Sequence, residues 1–158
     1  MRAVSRAKPS PAPSGSGEKV VVLWVSRHEP VPIQLRVLRE KLGDVAVVTL
    51  TGVIPNAEYV AEKAREVGAR YVVPVLPLSF IARLAELAPS YGFTVLYSRM
   101  RLLAEAKKGD DRALGELLKA HAEAPDRRAI VEYADCYRLF EFERFEVLKR
   151  VEVVTEPW

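Results

Sequence analysis

The segment of the chain best suited to chemistry is Ser26-Arg27-His28-Glu29. Arg27 could bind a phosphate or carboxylate, because a guanidinium donates several hydrogen bonds in one plane; a structural ion pair with Glu29 or Glu58 is the alternative. His28 beside Glu29 could carry protons near neutral pH. A metal site is not predicted, since a His-Glu pair lacks obvious further ligands. The segment therefore indicates anion binding or acid–base chemistry.

Alternating strand and helix patterns surround this segment. A continuous apolar run at 20–25 precedes it, as is typical of a strand buried on both faces of a parallel sheet. A helix beginning at Pro32 follows, and the pattern then repeats with strands at 45–50, 70–76 and 93–97 and helices at 57–67 and 80–88. The alternation predicts an α/β fold with a Rossmann-like, open, mostly parallel sheet and helices on both faces.

Ligands of such sheets bind beyond the carboxyl ends of the strands, where the strand order reverses. With the four predicted strands numbered in chain order, we expect strand 1 to lie beside strand 3 or strand 4. The polar cluster after strand 1 should then meet residues that follow one of those strands. Hydroxyls, guanidiniums and helix N-termini there predict a site for an anionic small molecule or nucleotide. The ligand-binding candidates are Ser26, Arg27, Gln34, Asn56, Ser79, Ser98 and Arg99.

Two of these candidates are the only amides of the chain, Gln34 and Asn56. A role as helix N-cap would by itself explain Asn56. The sequence suggests no comparable structural role for Gln34. Scarcity of amides is typical of heat-adapted proteins and indicates a thermophilic source, although GC-rich coding bias produces a similar composition.

Known nucleotide and hydrolase motifs are absent from the sequence. No Gly-x-Gly-x-x-Gly follows strand 1, and neither Gly-x-x-x-x-Gly-Lys-Ser/Thr nor Gly-x-Ser-x-Gly occurs. A conventional dehydrogenase, P-loop NTPase or α/β-hydrolase is therefore disfavoured, and the sequence does not identify a cofactor. Two hypotheses remain open for the cluster: a binding domain, regulatory in role, and a hydrolase or nuclease with His28 and Glu29 as catalytic residues. A third is a non-catalytic module that binds protein or nucleic acid through the basic tail and the C-terminal hairpin.

The C-terminal third is less regular. Patterns at 100–107 and 110–122 predict helices, 129–133 predicts a strand, and 136–144 with 146–155 predict a β-hairpin. Aromatic and charged residues alternate between Tyr137 and Phe145, which could bind single-stranded nucleic acid by stacking. Because glutamates cancel the arginine charge there, packing against the core or pairing at a homodimer interface through the hairpin is favoured.

Length and composition fit one domain. Of the 158 residues, 1–18 form a basic tail rich in Pro, Ser and Gly, and 19–158 are predicted to fold as a single domain. The net charge of +3 and pI near 9.1 give only weak support for nucleic acid as a partner.

Cys136 is the only cysteine, and no apolar run approaches the roughly 20 residues that cross a bilayer. We therefore expect a cytoplasmic protein that does not enter membranes.

Overall fold

A computed structural model describes residues 19–158, and the predicted tail 1–18 lies outside the described residues. Strands and helices alternate along most of the described chain. In chain order the elements are β1 (Val20–Val25), α1 (Pro32–Leu42), β2 (Val45–Leu50), α2 (Ala57–Val67), β3 (Ala69–Pro74), α3 (Leu78–Tyr91), β4 (Thr94–Lys107), α4 (Asp111–Glu123), β5 (Arg128–Glu132) and β6 (Cys136–Leu148). Across 19–158 the structure contains no helix of the length and apolarity that a membrane span requires.

The strands form one sheet in the order β2-β1-β3-β4-β6-β5. β1 pairs in parallel with β2 and β3, and β3 pairs in parallel with β4. β5 and β6 form an antiparallel hairpin. The predicted fold class, a Rossmann-like α/β fold with an open, mostly parallel sheet and a C-terminal hairpin, is confirmed.

The described chain falls into two compact units. Unit 1 contains the described residues up to Glu29, Leu42–Tyr97 and Glu146–Trp158, and unit 2 contains Pro30–Lys41 and Ser98–Phe145. That 19–158 act as one domain stays a prediction.

Unit 1 is organised around β1, whose apolar residues are almost completely buried. Valine and leucine suit this strand because β-branched and aliphatic side chains pack well on a pleated surface covered on both sides. α2 packs against the same core through small residues and valines, among them Val60 and Ala64. The helix ends at Gly68, whose φ of 70° is a left-handed conformation that glycine adopts without a steric penalty.

Unit 2 contains most of α1, the later part of β4, α4 and nearly all of the C-terminal hairpin. α4 begins after Asp110, whose side chain accepts a hydrogen bond from the backbone N–H of Ala113. Its apolar side packs on the strands through a core of Ala106, Leu117 and Leu139. A second, smaller core thus supports this half of the chain.

The prediction of a helix at 100–107 is wrong. These residues continue β4, which runs without a break from Thr94 to Lys107. Arg101 pairs with Glu141 at 2.8 Å, and Arg138 pairs with Glu105 at 3.4 Å. Because these contacts join β4 to β6, pairing between strands overrides the helix propensity of the segment.

Two further predictions in this region need correction. Ser98 and Arg99 lie inside β4, not beyond the carboxyl end of a strand that stops at Tyr97. The hairpin consists of β5 and β6, whereas 146–155 is not a second hairpin strand: β6 continues to Leu148, and 149–158 has no regular structure. One residue between 144 and 146 is too short for a reversal, since tight hairpin loops need at least two residues.

Candidate functional site

The loop after β1 is held by its own side chains. Ser26 is buried, and its hydroxyl Oγ accepts a hydrogen bond from the backbone N–H of His28 at 3.0 Å. The indole Nε1 of Trp24 donates to the carbonyl of His28 at 3.3 Å. Arg27, His28 and Glu29 are exposed. The backbone of the loop is therefore fixed while its charged side chains face solvent.

This loop lies at the switch point of the sheet. β1 is flanked by β2 on one side and β3 on the other, and β3 is followed by β4 on its far side. The chain therefore leaves β1 and β3 in opposite directions, the arrangement that opens a crevice at the carboxyl ends of two adjacent parallel strands. Val75 donates a backbone hydrogen bond to the carbonyl of Val25 at 2.9 Å, so the two strand ends lie side by side. The prediction that strand 1 lies beside strand 3 or strand 4 is confirmed, with strand 3 as the neighbour.

Ser79 lies at the start of α3, directly after the end of β3. The N-cap position is Pro77, which makes no side-chain capping bond, and the N–H groups of Phe80 and Ile81 donate to its carbonyl at 3.0 and 3.1 Å. The first N–H groups of a helix have no acceptor within the helix and carry partial positive charge. Exposed Ser79 thus lies at a helix terminus favourable to anions.

Arg27 differs from most other arginines of unit 1 in having no carboxylate partner. Within 19–158 its guanidinium forms no hydrogen bond or ion pair. The carboxylate of Glu58 is instead bound by Arg83, with Nε at 3.0 Å and a terminal guanidinium nitrogen at 2.8 Å, and this hydrogen bonding lowers the pKa of Glu58. The alternative in which Arg27 pairs structurally with Glu29 or Glu58 is therefore not realised.

His28 and Glu29 gain no support as a catalytic pair. Both side chains are exposed, and among the described residues they share no hydrogen bond. The same part of the chain contains no group of three or more His, Cys, Asp or Glu placed to hold a metal ion. Their acid–base role stays a prediction.

Asn56 has a structural role in unit 1. Its side-chain Oδ1 accepts the backbone N–H of Tyr59 at 2.8 Å, which makes it the N-cap of α2. The residue is exposed and follows the carboxyl end of β2. The capping bond explains the choice of asparagine, and a contact with ligand stays a prediction.

Gln34 has a structural role that was not predicted from the sequence. The side chain is only 5% exposed; Oε1 accepts the N–H of Val31 at 2.7 Å, and Nε2 donates to Ser98 Oγ at 2.9 Å. Its position four residues before the buried Leu38 places it on the inner face of α1, a signal that could have revealed this role. Gln34, Ser98 and Arg99 belong to unit 2, whereas the other candidates belong to unit 1.

Exposed apolar residues accompany the polar cluster in unit 1, and they too were not predicted from the sequence. Val53, which follows β2, is 92% exposed; Val75 after β3 is 51% exposed, and Leu78 at the start of α3 is 61% exposed. Large apolar side chains in such positions commonly contact the nonpolar part of a ligand. The sequence feature that could have indicated them is the presence of apolar residues in the segments directly after strands 2 and 3.

The aromatic and basic residues of β6 do not form an open cationic surface. Leu139 and Phe142 are buried. Arg128 donates to the carboxylate of Glu141 at 3.2 Å, and this bond, with a second from Arg101, lowers the pKa of Glu141. Because the arginine charges here are neutralised by glutamates, the strand gains no support as a nucleic-acid interface.

Comparison with protein-family models, with curated proteins and with solved structures finds no match to this chain.

Proposed function

We propose that unit 1 binds an anionic small molecule, of which a nucleotide is the best example, at the carboxyl ends of β1 and β3. The observation that carries this proposal is that Arg27, at the switch point of a parallel sheet, is exposed and has no partner among residues 19–158. Arg65 and Arg83 of the same unit are paired with carboxylates, and Arg70, which is not paired within the described chain, lies near the amino end of β3, away from the crevice. An unpaired guanidinium next to a crevice is available to pair with a phosphate or carboxylate.

Each neighbouring group has a role in this proposal. The guanidinium of Arg27 pairs with the anion, His28 donates a hydrogen bond to it, and the hydroxyl of Ser79 binds it at the N-terminus of α3. The exposed apolar side chains of Val53 and Leu78 contact the nonpolar part of the ligand, as they would the base of a nucleotide.

We propose that this site binds its ligand in a regulatory role and does not catalyse a reaction. Support comes from the loop itself: Ser26 and Trp24 fix the backbone of His28, but nothing in the described chain orients the His28 imidazole toward Glu29. A general base is oriented by a second group in most catalytic pairs. His28→Ala should accordingly weaken binding of the anion, and no catalytic activity should depend on His28.

A thermal-shift screen of the full chain tests the proposal. The probes are nucleoside mono-, di- and triphosphates, inorganic phosphate and pyrophosphate, with the corresponding nucleosides as uncharged controls. A ligand at 100 times its dissociation constant adds about 2.7 kcal/mol to the free energy of unfolding, so binding should raise the melting temperature clearly. The nucleotides should shift it and the nucleosides should not. No shift with any anion would contradict the proposal.

Gln34, Ser98 and Arg99 enter the same test as predictions of the sequence. Gln34 and Ser98 are bonded to each other, which argues for support of the fold. Arg99 is exposed on β4. If Arg99→Ala lowers the thermal shift produced by nucleotides, Arg99 belongs to the ligand site; an unchanged shift removes it.

We also propose that the chain acts in the reducing cytoplasm of a heat-adapted organism. The support is one buried cysteine without a second thiol, and two amides in the whole sequence. The melting temperature should exceed the range of about 45–65 °C in which domains of mesophiles cluster. A value inside that range would contradict the heat adaptation.

A further inference from the structure

β5 lies at one edge of the sheet that the described residues form. It is the last strand in the order, beside β6, and all of its residues are at least partly exposed. An edge strand presents unpaired N–H and C=O groups that can pair with a strand of another chain. β5 belongs to unit 2 and contributes no residue to the ligand site proposed in unit 1.

The hydrogen bonds between β5 and β6 show which backbone groups remain available. Tyr133 N donates to Cys136 O at 2.8 Å, and Phe142 N donates to Arg127 O at 3.0 Å. Because hydrogen-bonded pairs alternate along an antiparallel ladder, the bonds to β6 come from the odd-numbered residues of β5. The N–H and C=O groups of the even-numbered residues, Arg128, Ile130 and Glu132, therefore point to the open edge. Among the described residues, no backbone hydrogen bond outside the ladder engages them.

These outward groups are self-complementary. If a second copy of β5 runs antiparallel to the first with Ile130 facing Ile130, Arg128 of each copy faces Glu132 of the other. All three facing pairs are hydrogen-bonded pairs in that register, and the charges that face each other are opposite. On the other side of the strand, Ala129 faces Val131 of the second copy, so that two small apolar side chains meet at each of these positions.

We infer that two copies of this chain associate through β5, which pairs antiparallel with β5 of the second copy about a two-fold axis at Ile130. The dimer joins the two sheets edge to edge. Each Glu132, which already binds Lys108 at 2.6 Å, also meets Arg128 of the other copy. Within its own chain Arg128 keeps its contacts to Glu141 through Nε and to the Ala120 carbonyl and Glu123 through Nη1, so that Nη2 is the nitrogen offered to the second copy. The association thus extends an existing network of charges across the two-fold axis.

The opposite edge strand is less suited to this pairing. β2 has the sequence VAVVTL and contains no charged residue. Opposite charges at the two ends of a strand select one register, whereas an uncharged apolar strand does not. The charge pattern of β5 therefore favours pairing of this edge with a second copy of β5, in a single register.

Sedimentation equilibrium of the full chain over a wide range of concentration tests the inference. The wild type should show a reversible monomer–dimer equilibrium. Glu132→Lys places like charges opposite each other at both ends of the strand and should raise the dimer dissociation constant by about tenfold or more. Glu116→Lys is the matched control, because Glu116 also has an exposed intrachain ion pair, to Arg112 on α4, but lies outside β5. A wild type that stays monomeric, or two variants with equal dissociation constants, would overturn the inference.

Hydrogen exchange of individual amides supplies a test without any substitution. On dimerisation the outward amides of Ile130 and Glu132 should become protected as concentration rises. The amides of Ala129 and Val131 are already bonded to β6 and should show little change. A dimer in which the exchange of Ile130 and Glu132 does not depend on concentration would exclude β5 as its interface.

Discussion

Gln34 and Ser98 are hydrogen-bonded to each other: the amide Nε2 of Gln34 donates to Ser98 Oγ over 2.9 Å across 64 positions of sequence. The opposite end of the same amide accepts the N–H of Val31 at 2.7 Å. Two residues predicted from the sequence to bind a ligand thus satisfy each other inside unit 2.

Gln34→Met should lower the stability of the fold. Methionine has a similar length, but it leaves the Val31 N–H without its acceptor and Ser98 Oγ without its donor. Loss of a buried partner costs about 1–3 kcal/mol, which urea unfolding can resolve. Arg39→Ala, an exposed change on the same helix, should stay within about 0.5 kcal/mol of the wild type. Equal stability of the two variants would refute the structural role of Gln34.

Asn56→Ala should destabilise the chain through α2. The substitution removes the side-chain oxygen that accepts the N–H of Tyr59, and loss of an N-cap costs about 0.5–2 kcal/mol. Asn56→Asp keeps an acceptor in the same place and should retain most of the stability. Urea unfolding of both variants separates the cap from other roles. If the aspartate variant is as unstable as the alanine variant, capping does not explain this residue.

Glu141 should make stability depend on pH in the acid range. Its hydrogen bond from Arg128, with a further one from Arg101, holds the pKa below the ordinary value of 4.5. A carboxyl whose folded pKa is depressed stabilises the fold above its unfolded pKa, and this stabilisation is lost as pH falls through the folded pKa. Glu141→Gln should therefore be less stable than wild type at neutral pH, with the difference shrinking below about pH 4.5. A constant difference, measured by urea unfolding at each pH, would contradict this.

Cys136 should react slowly with iodoacetamide in the folded protein. The thiol is buried, and its hydrogen bond with the Glu105 carboxylate, followed by burial, raises its pKa above the ordinary value of 9.0. Since the thiolate is the reacting form, Glu105→Gln should move the pH profile of alkylation to lower pH. Protein unfolded in urea supplies the reference profile. An unshifted profile in the variant would show that Glu105 does not control the thiol.

The sequence predicted the elements that depend on local pattern and missed those set by distant contacts. The apolar run of β1 and the cap at Asn56 are local signals, and both were read correctly. The segment 100–107 is rich in helix formers, yet it is a strand because Arg101 and Glu105 meet β6 residues many positions away. No local pattern reveals such pairing.

The candidate site divides in the same way. That Arg27 follows a buried strand could be inferred from the alternation of strands and helices. That Glu58 is taken by Arg83 depends on how α2 and α3 meet, and only the structure gives that pairing. The exposure of Val53 and Leu78 likewise depends on where the loops run after their strands.

Calorimetric titration of wild type, Arg27→Ala and Arg70→Ala with the nucleotide that gives the largest thermal shift tests the central claim most directly. Arg70 is also an exposed arginine of unit 1 and has no partner among the described residues, but it lies near the amino end of β3, away from the proposed site. A hydrogen bond to a charged group is worth about 1.5–3 kcal/mol, so Arg27→Ala should weaken binding by about tenfold to a hundredfold while Arg70→Ala binds as the wild type does. Equal affinity of the two variants would contradict the proposed site.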